Sequence, residues 1–315
     1  MASFIEVKNL KKYFNTKRGV VHAVDDVSLT IEEGSTMGLV GESGCGKSTL
    51  GRTIVHLLES TAGKMYFREQ DVTKLKKKAL KAFREEMQMI FQDPFSSLNP
   101  RMTVKATVRE PLYLSGKYKK EELDDMALQV MERVGIEKRF QHSFPHELDG
   151  GRRQRVGIAR ALAVDPKFIV CDEPVSALDV SIQAQILNLL MDLQEKDELT
   201  YLFVTHNLSV VNHFSDDIMV MYLGRIAEKA PAEALFTSPL HPYTQVLLSA
   251  IPVPRLRNRG QRILIKGEIS SPINPKPICR FVNRCHKAIP VCSQREPELN
   301  EVAPNHFVAC HLTRQ

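Results

Sequence analysis

The chain has 315 residues and a mass of 35.6 kDa, room for one large domain or two ordinary ones at about 150 residues each. Apolar residues make up 43% and charged residues 25%, which excludes a disordered or fibrous chain. The net charge of +6 is uneven: residues 231–315 carry 11 Lys and Arg against 5 Asp and Glu, with 11 of the 17 prolines, while residues 1–230 are neutral. A surplus this diffuse makes no case for nucleic-acid binding and suggests two units with different tasks.

In chain order, Met1 to Glu6 place no basic patch ahead of an apolar core, so no secretory signal is expected and the cytoplasm is the expected compartment. No apolar run approaches the roughly 18 residues of a membrane helix. Phe4 to Val7 and Val24 to Ile31 alternate apolar and polar residues like half-buried strands. Ser35 to Val40 reads as a buried strand entering a glycine-rich turn. A helix should follow, with Leu50, Ile54, Leu57 and Leu58 on one face. Leu75, Ala79, Phe83 and Met87 mark a second helix, and Leu123, Met126, Ala127, Val130 and Val134 a third. Phe168 to Cys171 and Tyr201 to Val204 are short buried runs that end in polar residues. Ile218 to Glu228, broken at Leu223-Gly224, predicts a hairpin. Beyond Pro231 come a short helix or two, a loose segment from Pro252 to Arg262, and a cysteine region.

Gly41-Glu42-Ser43-Gly44-Cys45-Gly46-Lys47-Ser48-Thr49 matches the phosphate-loop pattern in its required setting, after a buried strand and at a helix start. Glycines let backbone N–H groups curl around phosphate, and the helix N-terminus adds positive charge. Lys47 can reach the β- and γ-phosphates of ATP, and the Ser48 hydroxyl can ligate Mg²⁺. Cys45 at such a terminus either has a lowered pKa or fills a small position. Phe168 to Glu173 supplies the complement: a buried strand delivers Asp172 to hold Mg²⁺ through water, and Glu173 to orient or deprotonate the attacking water.

With these motifs in this order, the chain resembles an ATP-binding-cassette (ABC) ATPase over residues 4 to about 230. The resemblance implies roles for further residues. Tyr13 would stack on adenine, and Gln92 in Phe91-Gln92-Asp93-Pro94 would sense Mg²⁺ and contact membrane subunits. Ser176-Ala177-Leu178-Asp179 is similar to the loop that crosses between two subunits. His206 would contact the γ-phosphate.

One loop departs from the family. Members carry Leu-Ser-Gly-Gly-Gln, where this chain has Leu148-Asp149-Gly150-Gly151-Arg152. In the family this loop donates to the γ-phosphate bound on a partner. A carboxylate cannot donate, and two unit charges ~4 Å apart interact by roughly 4 kcal/mol at an effective dielectric near 20. Arg152 could offset part of that. The departure therefore implies a heterodimer in which this chain's own loop works and the partner's ATP, facing Asp149, is hydrolysed poorly.

Gln92 to Thr103, Pro239 to Thr244, Ser271 to Pro275 and Val308 to Leu312 resemble the ATPases of dipeptide and oligopeptide importers. Similarity is greatest to the second of the two ATPases such importers use, the DppF/OppF type. The implied fold is an α/β P-loop domain with an antiparallel β subdomain and a helical insert at about 93–160, all within 1–230. A cysteine-rich C-terminal extension would span 231–315. The implied partners are a homologous ATPase, two transmembrane permease subunits and an extracytoplasmic peptide-binding protein, with this chain peripheral on the cytoplasmic face of the membrane. Nickel importers share the architecture, and a non-transport ABC protein is a further alternative.

Cys279, Cys285, Cys292 and Cys310 fall within 32 residues. A cytosolic chain makes disulfides unfavourable, so such a cluster suggests metal. Structural zinc usually uses closer pairs, whereas four thiolates also suit a [4Fe–4S] cluster. The importer resemblance implies that cluster, with zinc the second choice and four reduced thiols the third. His286, His306 and His311 could serve a zinc site, and Arg280, Arg284 and Lys287 could offset cluster charge.

Overall fold

The computed structural model describes residues 3–251, 263–264, 267 and 270–314. The expected loose segment from Pro252 to Arg262 lies outside the described residues. Two compact units are present, one formed by residues 1–74 with 203–315 and the other by residues 75–202.

The first unit opens with a hairpin of β1 (Ile5–Thr16) and β2 (Gly19–Ile31), longer than the alternating runs predict. Ile5, Val7, Leu10, Val27, Leu29 and Ile31 form its buried face. The ladder shifts register between Val7 and Leu10. There Asn9 and Asp26 take left-handed backbone conformations, and the Asn9 amide donates to the Asp26 carboxylate at 3.1 Å. Such bulges sharpen strand twist. The fully buried β3 (Thr36–Val40) leads to α1 (Lys47–Ile54). β4 (Ala62–Phe67) then pairs antiparallel with β1, and β5 (Gln70–Asp71) with β4. The first helix is shorter than expected. His56 adopts a left-handed conformation, and the N–H groups of Leu57 and Leu58 both turn back to the Arg52 carbonyl.

The second unit contains α2 (Lys77–Glu86), β6 (Met87–Ile90), α3 (Pro94–Ser97), α4 (Val104–Ser115), α5 (Leu123–Arg133), α6 (Gly150–Leu162), β7 (Phe168–Asp172) and α7 (Val180–Asp197). Met87, expected on the helix, starts β6 instead, paired in parallel with β7 from Met87 against Phe168 to Ile90 against Cys171. The chain leaves this unit along β8 (Thr200–Thr205), whose six residues are all buried.

Returning to the first unit, α8 (Leu208–Phe214) precedes β9 (Asp217–Tyr222), which runs parallel to β3. The expected hairpin forms: β10 (Arg225–Pro231) pairs antiparallel with β9. Its turn uses Leu223 and Gly224, both at positive φ. Next come α9 (Ala232–Thr237) and α10 (Pro242–Ser249). The cysteine region is a set of short 3-10 turns followed by the hairpin β11 (Asn300–Ala303) and β12 (His306–Val308), with β12 paired to β10. Glu228 of β10, wholly buried, ties this region down. Its carboxylate accepts the Leu240 and His241 N–H groups at 2.8 and 3.0 Å, and bonds the His306 ring at 2.7 Å.

Candidate functional site

In the first unit, the glycine-rich turn follows β3 and α1 starts at Lys47. Gly46 has φ near 109°, and a Cβ there would stand 2.0 Å from the Ala23 carbonyl oxygen, so only glycine fits. No side chain caps α1. The helix therefore offers its first-turn N–H groups and positive dipole end to an anion. Lys47 is buried, and its ammonium donates to the Gly41 and Glu42 carbonyls at 2.8 and 3.0 Å. The Cys45 thiol is pushed up by burial, against the pull of Lys47. The lowered-pKa alternative is thereby corrected: Cys45 is a space-filling residue.

Tyr13, on β1 of the same unit, stacks on the His22 ring with centroids 4.0 Å apart. Its hydroxyl donates to Asp25, which also bonds His22 and pairs with Arg280. Burial pushes the Asp25 carboxyl up. The hydrogen bonds from Tyr13 and His22 and the charges of Arg225 and Arg280 overcome this and hold it down to about 2. His206 follows β8 and is exposed, just before Asn207 caps α8.

In the second unit, β7 buries every residue and carries Asp172 at its end, 0% exposed. Glu173 follows in a left-handed conformation, and the Gln92 amide donates to its carboxylate at 2.9 Å. Two expected site residues 81 positions apart in the sequence are thus joined. The 176–179 loop is tied back by the Ser176 hydroxyl to the Glu173 carbonyl at 3.1 Å. Asp149 is the N-cap of α6, accepting the Arg152 N–H at 2.7 Å, and it also pairs with the Arg152 guanidinium. Arg152 lies over the Phe140 ring at 4.6 Å, and Gly150 and Gly151 form the first turn of α6. The offsetting of Asp149 by Arg152 expected from sequence takes this form.

The four clustered cysteines are free thiols. Burial pushes Cys279 up to about 12, with Cys292, Cys310 and Cys285 adding to it. Cys285 and Cys310 are also raised, by burial first and by neighbouring cysteines after it. Among the described residues, however, no group of three or more His, Cys, Asp or Glu side chains is disposed to hold a metal ion. The thiols share a neighbourhood without converging, so the metal site expected there is not supported. The three basic residues also have other partners. Arg280 pairs with Asp25 and Glu296, Arg284 with Glu42, and Lys287 donates to the Gln245 side chain at 2.8 Å. The ligand alternatives His306 and His311 are buried and bonded to Glu228 and to the Arg295 carbonyl.

A phosphate loop between a buried strand and an uncapped helix marks a P-loop nucleotide-binding protein. The model of the ABC transporter family matches residues 24–176, and that of the oligopeptide/dipeptide transporter C-terminal region matches residues 227–292. The chain is 49% identical to the oligopeptide transport ATP-binding protein AppF of Bacillus subtilis, covering 98% of this chain and 97% of that one. It is 44% identical to the dipeptide transport ATP-binding protein DppF of Escherichia coli, covering 99% and 95%. The chain belongs to the ABC ATPase family, in its oligopeptide and dipeptide transporter branch. Among solved structures, the dimeric bacterial ABC transporter cassette MJ0796 matches with a TM-score of 0.66 and 32% identity over 72% of this chain and 98% of that one. CbiO1 of Clostridium perfringens, part of the cbiONQ transporter complex, matches with 0.67 and 26% identity over 76% and 92%.

Proposed function

We propose that this chain is the ATP-hydrolysing subunit of a membrane importer of dipeptides or oligopeptides. The observation that carries the reading is similarity over nearly the whole length, C-terminal region included, to transport ATP-binding proteins with those two substrates. Residues 1–230 are assigned as the ATPase domain and 231–315 as its extension. Tyr13 stacks on adenine, residues 41–49 enclose the phosphates, and Lys47 neutralises developing charge. Ser48, Gln92 and Asp172 hold Mg²⁺. Glu173 activates water, and His206 contacts the γ-phosphate. Chemically these groups position water and stabilise charge, while the work comes from closing and reopening a pair of ATPases.

The partner in that pair is a homologous ATPase with an ordinary signature loop. The assembly includes two permease subunits and an extracytoplasmic peptide-binding protein, so the chain is peripheral on the cytoplasmic membrane face. No helix among the described residues is long and apolar enough to cross a membrane. The pairing is tested with Glu173→Gln, which keeps ATP binding and removes the base. Light scattering with ATP should show a stable pair with the partner ATPase and monomers of this chain alone. An equally stable homodimer would contradict the heterodimer.

For Cys279, Cys285, Cys292 and Cys310 the finer reading is a [4Fe–4S] cluster, with zinc second. Its support is the four cysteines within 32 residues and the similarity of the C-terminal region to that of oligopeptide and dipeptide transporters. Iron, sulfide and zinc analysis after anaerobic purification tests it: about four iron and four sulfide per chain are expected, and their absence would leave reduced thiols.

A further inference from the structure

The short segment between Cys279 and Cys285 carries two arginines whose carboxylate partners lie 255 and 242 residues earlier in the chain. Arg284 is 8% exposed, and its two terminal nitrogens meet the two Glu42 carboxylate oxygens at 2.7 and 2.9 Å. That fork fixes direction as well as distance, which a lysine cannot do. The Glu42 N–H donates to the Tyr243 hydroxyl at 2.9 Å. Glu42 is thus gripped by side chain and backbone from positions more than 200 residues later. Its carbonyl is also one of the two that hold the Lys47 ammonium.

Arg280 is 9% exposed. It donates to the Leu223 carbonyl at 2.8 Å and pairs with Asp25, the carboxylate that accepts the Tyr13 hydroxyl and bonds His22 beneath the Tyr13 ring. One segment therefore reaches a residue of the phosphate loop and the support of the expected adenine-stacking ring. Burying two charge pairs is a poor way to gain stability alone, since apolar residues of similar volume often do as well. Their value is geometric.

We infer that Arg280 and Arg284 are positioning residues for the nucleotide: through Asp25 and Glu42, the C-terminal extension sets the placement of Tyr13 and the shape of the phosphate loop, so ATP affinity depends on the extension. The inference rests on the assignment of Tyr13 and residues 41–49 as the ATP site.

The test is titration of the intact chain with Mg²⁺ and a fluorescent N-methylanthraniloyl-ATP, beside thermal denaturation. Arg284→Met and Glu42→Gln should each raise Kd by about tenfold, the factor that 1.4 kcal/mol represents. The double variant should be no weaker than the worse single one, because both remove the same contact. Arg284→Lys, which keeps charge and loses the fork, should raise Kd less than Arg284→Met. A lowered Tm with unchanged Kd in Arg284→Met, or Kd effects that multiply in the double variant, would overturn the inference. Should Arg284→Met fail to fold, an unchanged Kd in Arg284→Lys would overturn it equally. Lys47→Ala separates the two levels: retained binding there refutes the ATP-site assignment itself, whereas lost binding beside unchanged Arg284 variants refutes only the positioning role.

Discussion

Replacing Asp149 by serine should raise ATP hydrolysis at the partner's site while leaving this chain's fold nearly unchanged. Within its own chain Asp149 does two things. It caps α6 by accepting the Arg152 N–H at 2.7 Å, and it forms an exposed pair with the Arg152 side chain. Serine caps as well as aspartate, and an exposed ion pair is worth about 0.2–1 kcal/mol. The structural cost is therefore under about 1 kcal/mol. Across the proposed dimer the balance is different. A carboxylate ~4 Å from a γ-phosphate charge costs roughly 4 kcal/mol at an effective dielectric near 20. If Arg152 cancels two thirds of that, about 1.4 kcal/mol remains, a factor of about ten in rate. Serine also restores a hydroxyl donor. The assay is single-turnover phosphate release by the assembled complex, with this chain's own site silenced through Glu173→Gln so that the single burst reports the partner's site. An unchanged rate in Asp149→Ser would show that the loop is not electrostatically impaired.

Two further outcomes follow from the first unit. Gly46→Ala should destabilise the fold by several kcal/mol and abolish nucleotide binding, because its Cβ would meet the Ala23 carbonyl at 2.0 Å. Gly44→Ala, where nothing lies within 4 Å, should cost only about 1–2 kcal/mol of left-handed backbone strain; paired denaturant unfolding checks both. His241 is held by burial at about 4, below its ordinary 6.5. Being depressed in the folded state, it leaves stability complete above pH 6.5. Stability then falls as pH drops toward 4, where only the unfolded chain takes up the proton, and levels off below that. The loss should total about 3 kcal/mol, and urea unfolding of His241→Asn, which keeps the capping acceptor for the Tyr243 N–H, should show a shallower slope in that window.

The phosphate loop and the carboxyl pair at 172–173 were legible in sequence because each is contiguous and lies where a buried strand ends. Boundaries were less so. Lys12 to Asn15 lack strict alternation, yet they belong to β1 because β2 supplies their ladder. Leu57 looks like a helix position, but the chain has already turned and leaves it 46% exposed. The roles of Arg280 and Arg284 were invisible, since their partners lie 255 and 242 residues away. Proximity to the cysteines suggested charge compensation, whereas burial directs both guanidiniums to Asp25 and Glu42. Cysteine spacing, likewise, reports that thiols are near one another and nothing about where the sulfurs point.

Peptide uptake into vesicles carrying the full complex, with ATP supplied on this chain's side, tests the importer assignment. Uptake of a labelled dipeptide or oligopeptide should require ATP, vanish in Lys47→Ala, and drive peptide-stimulated phosphate release. Uptake untouched by Lys47→Ala, or phosphate release that responds to nickel and not to peptide, would rule out a peptide importer driven by this chain.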